Sequence, residues 1–215
     1  FDYIKSKALE IDVNQTSLFK SPENLGSGTA YMAVKDEGGN AVSLIQSNFY
    51  GIGSTIGVSD YGFFLHNRGA GFNLIENHPN KIAPLRKPLH TLSPTIWSKD
   101  GKLDMVIGTR GGRYQPQLLS QFILPLLLES SSLEQVMKKS RWTIDYFDEH
   151  TESHLIFEPG TDKAIIKDLE QKGHNIKIEK SMQGSYGPIS AICKDNNGQW
   201  SGVADSRVET SKAIY

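Results

Sequence analysis

The stretch that most restricts this chain is TAYMAVKDEGGNAVSLIQSNF, residues 29–49. It reads as two strands joined by a tight turn at Glu37–Asn40, with Gly38 and Gly39 supplying the positive φ angles that such a turn demands. Further strands are expected at GFFLHN (62–67), PTIWSKDGKLDMVIG (94–108), HLIFEPG, NIKIEK and GPISAICKDNNGQWSGVAD. The sharpest hairpin signals among these are KDG at 99–101 and NNG at 196–198. Helical patterns cover Gln115–Glu129, Leu133–Arg141 and Thr161–Lys172, the last stopping at Gly173, and a weaker one covers residues 1–12. Leu118, Leu119, Phe122, Ile123, Leu126 and Leu127 make one apolar face. Strands, then helices, then a helix among antiparallel hairpins give an α+β fold with helices packed on sheet.

Composition narrows the function classes. Lys and Arg number 23 against 24 Asp and Glu, so no basic footprint marks a nucleic acid or an anionic membrane as partner. With 38% apolar and 22% charged residues the chain is not of the disordered class. Phe122–Leu128 is the longest apolar run, and it is too short to span a bilayer and broken by Pro125. Cys193 is the single cysteine, which excludes an internal disulfide and a cysteine-based zinc site and fits a reducing, cytoplasmic setting. The opening FDYIKSKALEI reads as part of a helix rather than as a chain start, so a segment upstream is expected.

Four short motifs invite a chemical reading. GIGSTIG (51–57) fails as a dinucleotide loop, because its glycine spacing is wrong and no helix follows; it reads as a turn. His150 and His154 are four apart, but the polar loop around them offers no third ligand for a metal. GTRGG (108–112) joins a strand to a helix, where backbone N–H groups of paired glycines can hold an anion or an oxyanion; a turn needing small residues is the equal alternative. At Gly28–Thr29 a loose connector ending in Gly-Ser-Gly meets a Thr that heads a strand. A hydroxyl needs a base beside it, and an α-amine freed by chain cleavage is one, although an ordinary β-forming Thr fits the same place.

From Thr29 onward the chain resembles the small subunit of the gamma-glutamyltranspeptidase family. The resemblance rests on the strand from Thr29 with Asp36 and the Gly-Asn-Ala-Val exit at 39–42. It continues through GIGS (51–54), LHNRGAGF (65–72), RKPLHTLSPTI (86–96), GTRGG (108–112), Arg141–Trp142 and ADSR (204–207). It implies an N-terminal-nucleophile hydrolase fold, an αββα sandwich of which this chain is the small-subunit half. It also implies a precursor that cuts itself at Gly28–Thr29, so that residues 1–28 are the tail of a large subunit and 29–215 the small subunit. On that pattern Thr29 is the nucleophile, Ser47 matches a second hydroxyl supporting it, and Gly111 and Gly112 match the glycine pair holding the oxyanion. The implied partners are the large subunit and a small-molecule amide substrate, with a homodimer of heterodimers open as an assembly and no cofactor.

The departures from that pattern fall on the groups that hold the glutamyl head. Gly71 stands where the family has an aspartate for the α-amino group, and Arg68 where it has a glutamine. His90 and Thr91 replace a serine pair that helps hold the α-carboxylate, and Phe49 replaces an asparagine. Losing a carboxylate partner weakens recognition of an ammonium strongly, whereas Arg68 and His90 favour an additional anionic group. The pattern resembles the divergent, cephalosporin-acylase-like branch. The expected function is an amide hydrolase or acyltransferase; the alternatives are true gamma-glutamyl transfer and an uncut, silent binding relative.

Overall fold

Alternating exposure along Ala41–Tyr50 shows a strand with one face turned to the core and one to the outside. In the computed structural model this strand, β2, pairs antiparallel with β1 (Ser27–Lys35). The structure describes residues 2–9, 14, 27–145, 153–184, 186–195, 197–209 and 212–214. At the hairpin turn only Gly39 of the two glycines takes positive φ, at 87°. The Asp36 carboxylate organises the rest, accepting from Asn40 N at 2.8 Å and Asn40 Nδ2 at 2.7 Å. Those bonds hold the Asp36 carboxyl below its ordinary range.

The hairpin packs on a four-stranded sheet built from β5 (Thr95–Lys99), β6 (Lys102–Thr109), β10 (Ile189–Lys194) and β11 (Trp200–Ala204) in the order β11-β10-β6-β5. The Asp100-Gly101 turn joining β5 to β6 has φ of 51° and 73°, the paired positive values of a tight hairpin. Tyr31 seats the hairpin: a Cβ at Gly108 would lie 2.1 Å from its ring, so only glycine fits beneath it. On the opposite face Met105, Ile107, Ile189, Ala191 and Cys193 meet Leu119, Phe122 and Ile123 of α2 (Gln115–Leu128) and Val136 and Met137 of α3 (Leu133–Lys138). The result is layered α+β, helix on sheet on hairpin, and all pairings in this sheet are antiparallel. The helix expected over Leu133–Arg141 stops at Lys138. A Ser132–Gln135 capping box starts it, and the chain turns extended at Lys139.

Chain contacts divide the molecule into two compact units, Leu25–Lys139 with Gly184–Tyr215, and Ser140–Gln183 with Phe1–Asn24. The second unit contains α1 (Asp2–Leu9) and the sheet β7 (Trp142–Asp145), β8 (His154–Phe157) and β9 (Asn175–Ile178). Here the antiparallel expectation is corrected. β8 and β9 run parallel, because α4 (Lys163–Gln171) carries the chain back across the sheet. Asp162 caps α4 by accepting from Ala164 N at 2.8 Å, and Gly173 beyond its end has φ of 90°. His154 opens β8 and His150 lies outside the described residues, among which no cluster of metal-ligating side chains occurs.

ADSR proves to be a structural lock. Asp205 accepts from Ile189 N at 3.0 Å and Arg207 N at 3.1 Å, and the buried Arg207 guanidinium donates to Met137 O at 3.1 Å and Lys139 O at 3.0 Å. Arg207 thus ties the end of α3 to the strand end at Asp205, its ion-pair partner at 3.3 Å. Asp205→Ala strands a buried cation and is expected to cost about 3–5 kcal/mol, read by denaturant unfolding. Burial also pushes the Cys193 thiol up to about 12, helped by the Asp104 carboxylate, and burial pushes the Tyr31 phenol up to about 12. Both protons are held more tightly in the fold than in the unfolded chain, so this stabilisation is complete below about pH 8.5 and is lost as pH rises toward 12. Melting temperature should fall across that window. At pH 8 Cys193 should react with a thiol reagent only after unfolding.

Candidate active site

A one-residue mismatch between β1 and β2 shapes the Gly28–Thr29 junction. Gly28 pairs with Phe49 but Thr29 pairs with Ser47, so Asn48 is an extra residue on β2. The bulge turns the Ser47 hydroxyl onto the junction: its Oγ donates to Gly28 O at 2.9 Å and accepts from Phe49 N at 3.0 Å. Phe49 achieves this with φ of 81°, a left-handed conformation that a bulky residue rarely adopts. Its ring is buried and lies 3.9 Å, centroid to centroid, from Tyr50. Thr29 is 8% exposed.

The GIGS loop closes over the same junction. A Cβ on Gly28 would sit 2.8 Å from Gly51 O, so glycine is the residue that lets loop and strand meet. Asn67, which the sequence reading passed over, fastens this loop. Its Oδ1 accepts from Tyr50 N at 2.9 Å, and its Nδ2 donates to Tyr50 O at 3.1 Å and Gly53 O at 3.0 Å. That clamp also explains why the strand expected over 62–67 shrinks to β4 (Phe63–Phe64), paired with β3 (Gly57–Val58).

Arg68 follows Asn67 into the site. It is 6% exposed, its guanidinium lies 4.9 Å over the Phe49 ring, and it donates to Ser47 O and Thr91 Oγ1, both at 3.5 Å. Burial lowers its pKa, though a guanidinium stays charged at any working pH. Gly71 ends the short helical turn that begins at Arg68. A Cβ there would meet Leu89 O at 3.2 Å, and Gly71 O accepts from Asn80 Nδ2. A side chain at 71 would therefore press on the Leu89 main chain. His90 is exposed, while its neighbour Thr91 is half-buried against Arg68.

Gly111 and Gly112 follow β6 with φ of 123° and 55°, and Gly111 packs on Leu118 and Gly187. Two contacts link the surroundings of this pair to the hairpin region: Tyr31 of β1 sits on Gly108, and the fully buried Gln115 accepts through Oε1 from Ser93 N at 2.9 Å and fixes the segment carrying Thr91. Gln115 was not legible as a site residue, because a glutamine at a helix start ordinarily faces water.

Residues 2–215 match the gamma-glutamyltranspeptidase family model. The chain belongs to the gamma-glutamyltranspeptidase family. A glutathione hydrolase-like proenzyme of Bacillus subtilis is 35% identical over 94% of the chain, and an oxamate amidohydrolase proenzyme of Klebsiella pneumoniae is 32% identical over 91%. The chain spans about 38% of the length of each of these relatives. Among solved structures, cephalosporin acylase from Bacillus halodurans aligns with all of the chain at a TM-score of 0.80 and 28% identity, the chain covering 38% of it. A Helicobacter pylori gamma-glutamyltranspeptidase chain aligns over 99% of its own length and 83% of this one, with a TM-score of 0.68 and 24% identity. The fold is thus that of the family's small-subunit region, an N-terminal-nucleophile hydrolase half. Because of the Gly51 carbonyl, Gly28→Ala is expected to destabilise this small-subunit fold by about 1–3 kcal/mol. Denaturant unfolding checks it, and wild-type stability would mean that the loop does not seat on the junction.

Proposed function

We propose that this chain is the nucleophile-bearing part of a self-cutting amide hydrolase or acyltransferase, with Thr29 as nucleophile. The observation that carries the reading is the Ser47 hydroxyl donating to the carbonyl of Gly28, one bond from Thr29, at 2.9 Å. Such a bond draws electrons from that carbonyl and favours attack on it, and the Phe49 N–H behind Ser47 strengthens it. Thr29 Oγ attacks the Gly28 carbonyl carbon, the peptide nitrogen leaves as an amine, and the resulting ester is hydrolysed by water. Gly28 then ends the upstream piece as a carboxylate and Thr29 begins the downstream one. On this reading residues 1–28 finish a large subunit that remains the partner of 29–215. The proenzyme names of the relatives support it.

In turnover the freed Thr29 amine takes the hydroxyl proton as Oγ attacks an amide substrate, and passes it to the leaving amine. The Gly111–Gly112 turn is the proposed oxyanion holder, each backbone donor of that kind typically supplying about 3 kcal/mol. Water resolves the acyl-enzyme. This chemistry uses the chain's own amine as base and calls for no cofactor. Glutamyl specificity is not expected, since Gly71 carries no carboxylate for an ammonium and a Cβ there would meet Leu89 O at 3.2 Å.

Thr29→Ala in the full precursor is expected to abolish both cutting, seen as one band on denaturing electrophoresis, and amide turnover, with the melting temperature near that of the wild type. Self-cleavage of that variant would place the nucleophile elsewhere. The wild type should release the chromophore of a gamma-glutamyl anilide at least about 100-fold more slowly than its best amide substrate; rapid release would refute the role given to Gly71.

A further inference from the structure

Arg68 is a buried cation whose charge is poorly answered. A guanidinium has five donors, yet its two bonds here go to neutral oxygens at 3.5 Å, the long limit for a hydrogen bond. Among the described residues no carboxylate pairs with it. The Phe49 ring face supports the cation from one side, which holds its plane but supplies no acceptor. A charge buried to this degree ordinarily has an anionic partner. Its place is equally telling, because Arg68 reaches the main chain of Ser47, the residue whose hydroxyl touches the scissile carbonyl. A single residue, Ser47, thus links the Arg68 guanidinium to the Gly28 carbonyl.

We propose that Arg68 binds a carboxylate of the substrate, and that the substrates are short amides with that carboxylate a few bonds from the scissile carbonyl, the half-amides of small dicarboxylic acids. This rests on the hydrolase reading above and gives its substrate class. A planar guanidinium takes a carboxylate through two parallel N–H bonds, and Thr91 beside it holds its orientation. A long acyl chain with a distant charge would overrun the guanidinium. A neutral amide would leave it unanswered.

The test uses the full precursor after self-cleavage and measures ammonia release from matched pairs: oxamate against oxamide, malonamate against malonamide, succinamate against succinamide. Each pair exchanges a carboxylate for an amide of nearly the same shape. For at least one chain length the acid should exceed the diamide by about 100-fold or more in kcat/KM. Arg68→Gln should collapse that ratio to nearly 1, and Arg68→Lys should keep part of it, with melting curves confirming that each variant folds. The wild-type ratio is decisive even where a variant does not fold. Equal rates on acid and diamide, retention of the ratio in Arg68→Gln, or a cut enzyme that turns over none of the pairs would overturn the carboxylate assignment alone. A precursor that neither cuts nor hydrolyses any amide would overturn the hydrolase reading beneath it.

Discussion

Everything around the Gly28–Thr29 junction depends on how the β1–β2 hairpin is seated, and that is settled by a ring on a glycine. Tyr31 occupies the volume that any side chain at position 108 would need. The contact brings hairpin and sheet together at the end of β6 that runs on into Gly111 and Gly112. The Tyr31 hydroxyl, bonded to Ser43 Oγ at 2.8 Å, crosses diagonally between the two strands, since Ser43 lies opposite Ala33. One residue thus fixes both the position of the hairpin and its register. The bulge at Asn48 is what remains to be accommodated toward the junction.

Local strain is placed where the geometry needs it. Phe49 could relax to an ordinary strand conformation only if its N–H left Ser47 Oγ, and the hydroxyl would then lose the donor that orients it toward Gly28. Burial of the Phe49 ring, its contact with Tyr50 and the Arg68 guanidinium over its face oppose that relaxation. A left-handed residue of this kind costs of order 1–3 kcal/mol and persists only where its surroundings over-determine it. Asn67 supplies the remaining constraint by binding both backbone groups of Tyr50. Hairpin, loop and the Arg68 turn consequently form one rigid corner.

Much of this was legible in the sequence wherever a local rule decides. The Asp100-Gly101 hairpin turn and the stop of α4 at Gly173 are short-range consequences of residue type, and they fall where expected. Two features escaped for the opposite reason. The parallel β8–β9 pair depends on where α4 returns the chain, which no window of residues encodes, and the shortening of 62–67 depends on an asparagine side chain reaching back to Tyr50 and Gly53. At the site, family resemblance brought out Thr29, Ser47 and Arg68. It could not show that Ser47 contacts the Gly28 carbonyl, that Gln115 anchors the Thr91 segment, or that Asp205 and Arg207 act as a lock between β10 and α3.

Gly71 and Arg68 are two ends of one helical turn, and their departures from the family pattern belong together. At one end the backbone lies close to Leu89, with Asn80 bonded to the Gly71 carbonyl, so a side chain at 71 would press on Leu89 O, 3.2 Å from its Cβ. At the other end a cation is buried beside Phe49, where the asparagine of the pattern would have offered a polar but neutral surface. On the proposed assignment of these two positions, a missing negative group and an added positive one within four residues would favour an anion over an ammonium. Either change alone would weaken glutamyl binding. On that reading, an aspartate at position 71 alone would still leave the Arg68 cation opposing an ammonium.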